Sequence, residues 1–110
     1  MPDDDKPIRH VTKVELRCMF NEQYWERIQR GEFREIITWQ NHPCPESAHQ
    51  PFCTWSQMVL YRDRDTGDDI ISAHRYLLPD HTIGGFGRPD PKWIVEGGMI
   101  YKAEVRIAVN

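Results

Sequence analysis

His74, Arg75 and Tyr76 lead into a stretch rich in glycine and proline that carries Asp80, His81, Gly84, Gly85, Gly87, Arg88, Asp90 and Lys92. Two histidines that titrate near neutral pH, His74 and His81, form a candidate acid–base pair for phosphodiester or ester chemistry. Arg75, Arg88 and Lys92 bring positive charge for an anion, and Tyr76 adds a donor. The glycines at 84, 85 and 87 let a ligand approach the main chain closely. Geometry limits this set. On a strand His74 and Tyr76 share one face and Arg75 the other, so the three reach one ligand only across a twist or bulge. The glycine run also lacks the third glycine of a dinucleotide fingerprint and the Lys-Ser/Thr ending of a phosphate loop. No cofactor is expected.

The segment "NHPCPESAHQPFC", residues 41 to 53, gathers His42, Cys44, His49 and Cys53. These are zinc-ligand types, but structural zinc sites pair their ligands as C-x-x-C or H-x-x-x-H, and neither spacing occurs here. Pro43, Pro45 and Pro51 stiffen the backbone where ligands would converge. A Cys44–Cys53 disulfide would close a small loop, but three cysteines in a chain with no export signal favour free thiols. A surface connection is therefore expected, with no metal.

"RDTGDDII" and the later "TIGGFG" resemble the Asp-Thr-Gly and glycine-rich flap of the retroviral aspartic proteases, over Asp65 to Gly67 and Ile83 to Phe86. That resemblance implies a dimer in which two aspartates share a proton. In that family an apolar strand precedes the aspartate and buries it. Here Arg62, Asp63 and Arg64 precede Asp65, which suits an exposed hairpin tip.

These residues must be held by elements that the apolar spacing outlines. Residues 1–10, with two prolines and three consecutive aspartates, read as a frayed tail, leaving 11–110 as one domain. Val14, Leu16 and Cys18 alternate with charges, as in a half-buried strand. Phe20, Tyr24 and Ile28 recur every four residues, giving a short amphipathic helix with Asn21 as N-cap and Gly31 as its C-terminal stop. "EFREIITWQ" returns to alternation and predicts a strand.

"TWSQMVLYR" and "DDIISAHRYL", joined by "DRDTG", predict an antiparallel pair. "LPDHTIGGFGRPDP" predicts a long loop. Trp93 to Val95, a turn at Glu96 to Gly98, and a strand from Met99 to Val109 complete a C-terminal hairpin. The fold class is α+β: one short amphipathic helix on a curved, mostly antiparallel sheet of about five strands.

The chain has 110 residues, 39% hydrophobic and 28% charged, which is globular usage. No apolar run spans a bilayer and the N-terminus has no signal-peptide core, so no membrane association and a cytoplasmic location are expected. A formal charge of -3 lacks the excess that drives nonspecific nucleic-acid binding, leaving only a local basic patch for such a role.

Trp25, Trp39, Trp55 and Trp93, with Phe33, Phe52 and Phe86, exceed what one helix on one sheet face can cover. An aromatic sheet face left open suits a protein partner or a second copy of the chain. A non-catalytic interaction protein that self-associates or docks on a protein partner through that face is the first expectation; an enzyme or anion-binding domain for a phosphate-containing or nucleic-acid substrate, built on His74, His81, Arg88 and Lys92, is the alternative.

Overall fold

The computed structural model describes residues 6–85 and 87–104. Six strands form one sheet: β1 (Ile8–Val11), β2 (Phe33–Asn41), β3 (Trp55–Asp63), β4 (Asp69–Leu77), β5 (Asp90–Glu96) and β6 (Met99–Ala103). Their spatial order is β1-β6-β5-β4-β3-β2, with every neighbouring pair antiparallel except β1 and β6. The α+β class and the antiparallel majority agree with the sequence pattern. The sheet has six strands rather than about five, because Ile8–Val11, placed in the tail and its border, pairs in parallel with Ile100–Ala103.

One continuous 17-residue helix, α1, joins the two edge strands. It runs through an α-helical Lys13–Met19, a π-helical Phe20–Tyr24 and an α-helical Trp25–Gln29. At 1.5 Å per residue it is about 26 Å long. Five interstrand spacings amount to roughly 24 Å. A helix of this length carries the chain from one edge of the sheet to the other.

The half-buried strand expected at Val14, Leu16 and Cys18 is therefore the first part of α1, and Asn21 is internal rather than a cap. The cap is Thr12. Its hydroxyl accepts from the Glu15 N–H at 3.1 Å, and the Glu15 carboxylate accepts from the Thr12 N–H at 3.3 Å, a reciprocal capping box. Period-two alternation over so few residues coincided with a helix whose true face is Leu16, Phe20 and Tyr24. Thr12→Ala is expected to cost about 1 kcal/mol, read as a fall of roughly 4 °C in thermal midpoint by circular dichroism.

Residues four apart drift about 40° around an α-helix. The π turn, in which the Trp25 N–H reaches the Phe20 carbonyl, widens the helix at the position where that drift would carry Tyr24 off the sheet. Leu16, Phe20 and Tyr24 thus all stay buried, against Phe33, Val59, Tyr61, Ile71, Ala73 and Ile94. The Tyr24 hydroxyl donates to Glu96 Oε1 at 2.6 Å, and burial, followed by that carboxylate, pushes its pKa well up.

The Asp65-Thr66-Gly67 segment is the exposed tip of the β3–β4 hairpin, where Asp63 Oδ1 accepts from the N–H groups of Asp65 and Thr66. The C-terminal hairpin turns on Gly97 and Gly98, at φ 58° and 77°, the left-handed pair that a two-residue turn demands. β5 begins at Asp90 instead of Trp93, so the preceding loop is shorter than its glycines and prolines suggested. Of the strand expected to reach Val109, the part after Glu104 lies outside the described residues.

Candidate functional site

Strand alternation and register divide the sheet into two faces. Toward α1 point Phe33, Val59, Tyr61, Ile71, Ala73 and Ile94. Away from α1 lie Ile36, Leu60 and Ser72 across β2–β4, with Met58, His74, Ser56 and Tyr76 further along the same strands. Trp93, Val95, Ile100 and Lys102 continue that outer face through β5 and β6.

His74 sits within the outer face. Its Nε2 lies 2.7 Å from Ser56 Oγ, and the Tyr76 ring stands edge-on at 4.7 Å between centroids. Asp90 is its cross-strand partner on β5. Asp90 in turn accepts from Arg17 Nε at 2.8 Å and from Lys92 Nζ at 3.1 Å.

Burial, then the nearby Lys92 charge, lowers the His74 pKa, with Asp90 pulling the other way. Burial alone would raise the Asp90 carboxyl; the hydrogen bonds and charges of Arg17 and Lys92 outweigh it and hold the group below the ordinary range. His74 and Lys92, both singled out by sequence, are therefore linked through Asp90.

The lowered His74 pKa gives a pH dependence whose sign can be worked out. The unfolded chain takes up a proton near pH 6.5, before the folded chain does. Stability is complete above that pH and falls as pH drops toward the lower folded value. Urea midpoints of the wild type are expected to fall between pH 7.5 and 5, and by less in His74→Asn. Equal losses in the two proteins would rule out His74 as a source.

His81 is elsewhere. Leu77 bridges to Ile83, and His81 occupies the turn beyond that bridge at φ 69°, its N–H bonded to the Leu78 carbonyl. From His74 to Leu77 alone the strand advances about 10 Å. The two histidines are not brought together.

Arg75 lies on the α1 side, with Nε donating to Gln57 Oε1 at 2.8 Å and a guanidinium nitrogen 3.3 Å from Glu35 Oε2. Gly84 donates to the Tyr76 carbonyl, and a Cβ there would meet Gln50 Oε1 at 2.6 Å, so a side chain already occupies its open side. Gly85, Gly87 and Arg88 are exposed, and nothing lies within 4 Å of a Cβ built at Gly85 or Gly87.

In the 41–53 segment His42 stacks on Trp55 at 3.6 Å, and its Nδ1 lies 2.9 Å from the Thr54 carbonyl. Pro45–Ala48 forms a short helix, α2, and Cys44 and Cys53 are exposed free thiols. Among the described residues no group of three or more His, Cys, Asp or Glu is placed to hold a metal ion. Hydrogen bonding from the Ser47 backbone and hydroxyl, then from the Glu46 backbone, lowers the Cys44 thiol pKa. Iodoacetamide is expected to alkylate Cys44 ahead of Cys18 and Cys53, as peptide mapping would show.

The residues that sequence reasoning missed are Arg17, Lys13 and Lys102, which with Lys92 line a groove of about 720 Å³ between the start of α1 and the ends of β5 and β6. The Thr12-x-x-Glu15 spacing was the signal that starts a helix there and turns Lys13 and Arg17 toward one end of the sheet. No described helix is long and apolar enough to cross a membrane. Comparison of the chain with protein-family models, with curated proteins and with solved structures finds no match.

Proposed function

We propose that this chain is a non-catalytic interaction module that associates with a second copy of itself through the outer sheet face. The observation that carries the reading is the composition of that face. Ile36, Trp39, Met58, Leu60, Tyr76, Trp93, Val95 and Ile100 occupy its outward positions, and the described helices lie elsewhere, α1 on the opposite face and α2 within the β2–β3 connection. Trp39 is 50% exposed and Ile8, at the far edge, 54%. The charges of the face stand toward its margins, with Arg34 and the Arg62–Asp69 pair at one end of the strands, Lys102 beside the β1 edge, and Asp90, held by Lys92, across from His74.

Six strands at about 4.8 Å and five or six residues at about 3.3 Å define a face of roughly 500 Å². Two such faces bury roughly 1,000 Å², the lower bound for a specific interface. A face with an apolar majority suits a partner with the same property, and a second copy supplies it by two-fold symmetry.

Sedimentation of the wild type is expected to show a concentration-dependent dimer, and Trp39→Lys a monomer with an unchanged circular dichroism spectrum. A wild type that stays monomeric at millimolar concentration defeats the reading. The enzyme alternative loses the support of a His74–His81 pair, since the fold separates them.

A further inference from the structure

We infer that the groove at the start of α1 is a binding site for a small phosphorylated ligand, an anion of two or more phosphates attached to an organic body. The groove lies at one end of the sheet, and the inference does not depend on self-association. Three elements contribute cations to it: Lys13 and Arg17 from α1, Lys92 from β5 and Lys102 from β6. Asp90, Glu104 and Glu15, whose carboxylate bonds Thr12 at the groove wall, are the acidic groups beside them. Four positive and three negative charges leave a local excess of one, in a chain whose formal charge is -3. Concentrating like charge in one concave place opposes folding unless an anion is gathered there.

The cations are arranged for more than solvation. Asp90 holds Arg17 through Nε at 2.8 Å and Lys92 through Nζ at 3.1 Å, fixing both beside the groove. The terminal guanidinium nitrogens of Arg17 have no hydrogen bond within the described residues and remain available as a fork for phosphate oxygens. Lys13 and Lys102 make no ion pair with any described residue. The positive end of α1 adds to the field, but the Thr12–Glu15 box already uses donors of the first turn, so the weight rests on the side chains.

Size and lining set the class of ligand. About 720 Å³ falls within the range of small-molecule pockets. Val14, Ala103 and the aliphatic stems of the lysines offer apolar contact for an organic body next to the charged one. A nucleoside di- or triphosphate has this combination.

The test uses the full chain and titrates ATP, inorganic pyrophosphate and a single-stranded oligonucleotide by isothermal calorimetry at low salt. ATP is expected to bind, pyrophosphate more weakly, and the double variant Lys13→Gln/Lys102→Gln to lose at least about tenfold in ATP affinity. Neither lysine forms an ion pair with a described residue, and removing like charge relieves repulsion, so the thermal midpoint of that variant should not fall. Arg30→Gln, remote from the groove, should bind as the wild type does. Absence of ATP binding at millimolar concentration, or an affinity that Lys13→Gln/Lys102→Gln leaves unchanged, overturns the inference. An oligonucleotide bound more tightly than ATP also overturns it, in favour of a nucleic-acid backbone. A monomeric wild type that still binds ATP at the groove would defeat self-association and leave this site standing.

Discussion

Phe20→Ala is expected to destabilise the fold by about 3 to 5 kcal/mol. Against a total of roughly 5 to 15 kcal/mol for a domain of this size, that is a third or more of the margin. Phe20 is fully buried, lies 6.0 Å from the Trp25 ring between centroids, and opens the π turn that keeps Tyr24 on the sheet. Truncating it removes apolar contact at the middle of the helix–sheet interface, and the helix cannot settle into the space without moving Leu16 or Tyr24. Phe20→Leu, which keeps most of the volume, is expected to cost under about 1.5 kcal/mol. Urea unfolding followed by circular dichroism checks both. A loss below 1 kcal/mol for the alanine variant would mean that α1 does not pack on the sheet through this residue.

The next largest effect is expected at Arg75, whose side chain is only 10% exposed. Its contact with Glu35, itself 44% exposed, is screened and contributes little. The cost of Arg75→Ala arises at Gln57, which is 2% exposed and would keep a buried Oε1 with no donor, while its Nε2 still donates to Gln40. An orphaned buried acceptor, with the lost packing of the arginine stem, gives about 2 to 3 kcal/mol.

Removing both ends of the bond should restore much of that loss. Arg75→Leu/Gln57→Leu is expected to be more stable than Arg75→Ala, because no buried polar group is left unpaired. A double-mutant cycle with no coupling between the two positions would refute the account. Tyr61 provides a contrast. Its buried hydroxyl makes no hydrogen bond of ordinary length to a described residue, although Glu35 and Arg75 stand close enough to act on it, so Tyr61→Phe should change stability little.

The strands and turns that govern these residues were readable in the chain wherever one local signal dominated. The Asp63–Gly67 tip, the Gly97-Gly98 turn and the alternation in β2, β3 and β4 each follow from backbone chemistry within a few residues. Reading failed where two periods overlapped. Val14, Leu16 and Cys18 alternate, yet Val14 and Cys18 are exposed and Leu16 belongs to the four-residue series with Phe20 and Tyr24. The capping box was present in the sequence and outranks so short an alternation.

β1 was not legible because its identity depends on a partner far along the chain: Ile8 pairs with Ile100. The candidate site was half legible. His74 and Lys92 were found from their types, but their link through Asp90, and the approach of Arg17 and Lys102, depend on how α1 crosses the sheet. His81 was grouped with His74 by proximity in sequence, and the hairpin closed by Leu77 and Ile83 separates them.

The parallel pairing of β1 with β6 also sets an order in time. Of the described strands β1 is the first in the chain and its partner β6 the last, so during synthesis Ile8–Val11 must wait for Met99–Ala103. At about 5 to 20 residues per second that delay is of the order of 5 to 20 s, far longer than a hairpin needs to close. The β3–β4 hairpin can form early and locally, whereas the sheet reaches its final width only when the two ends of the described chain meet. Until then Ile8–Val11 is without its partner strand, and its backbone groups are open to pairing with another strand.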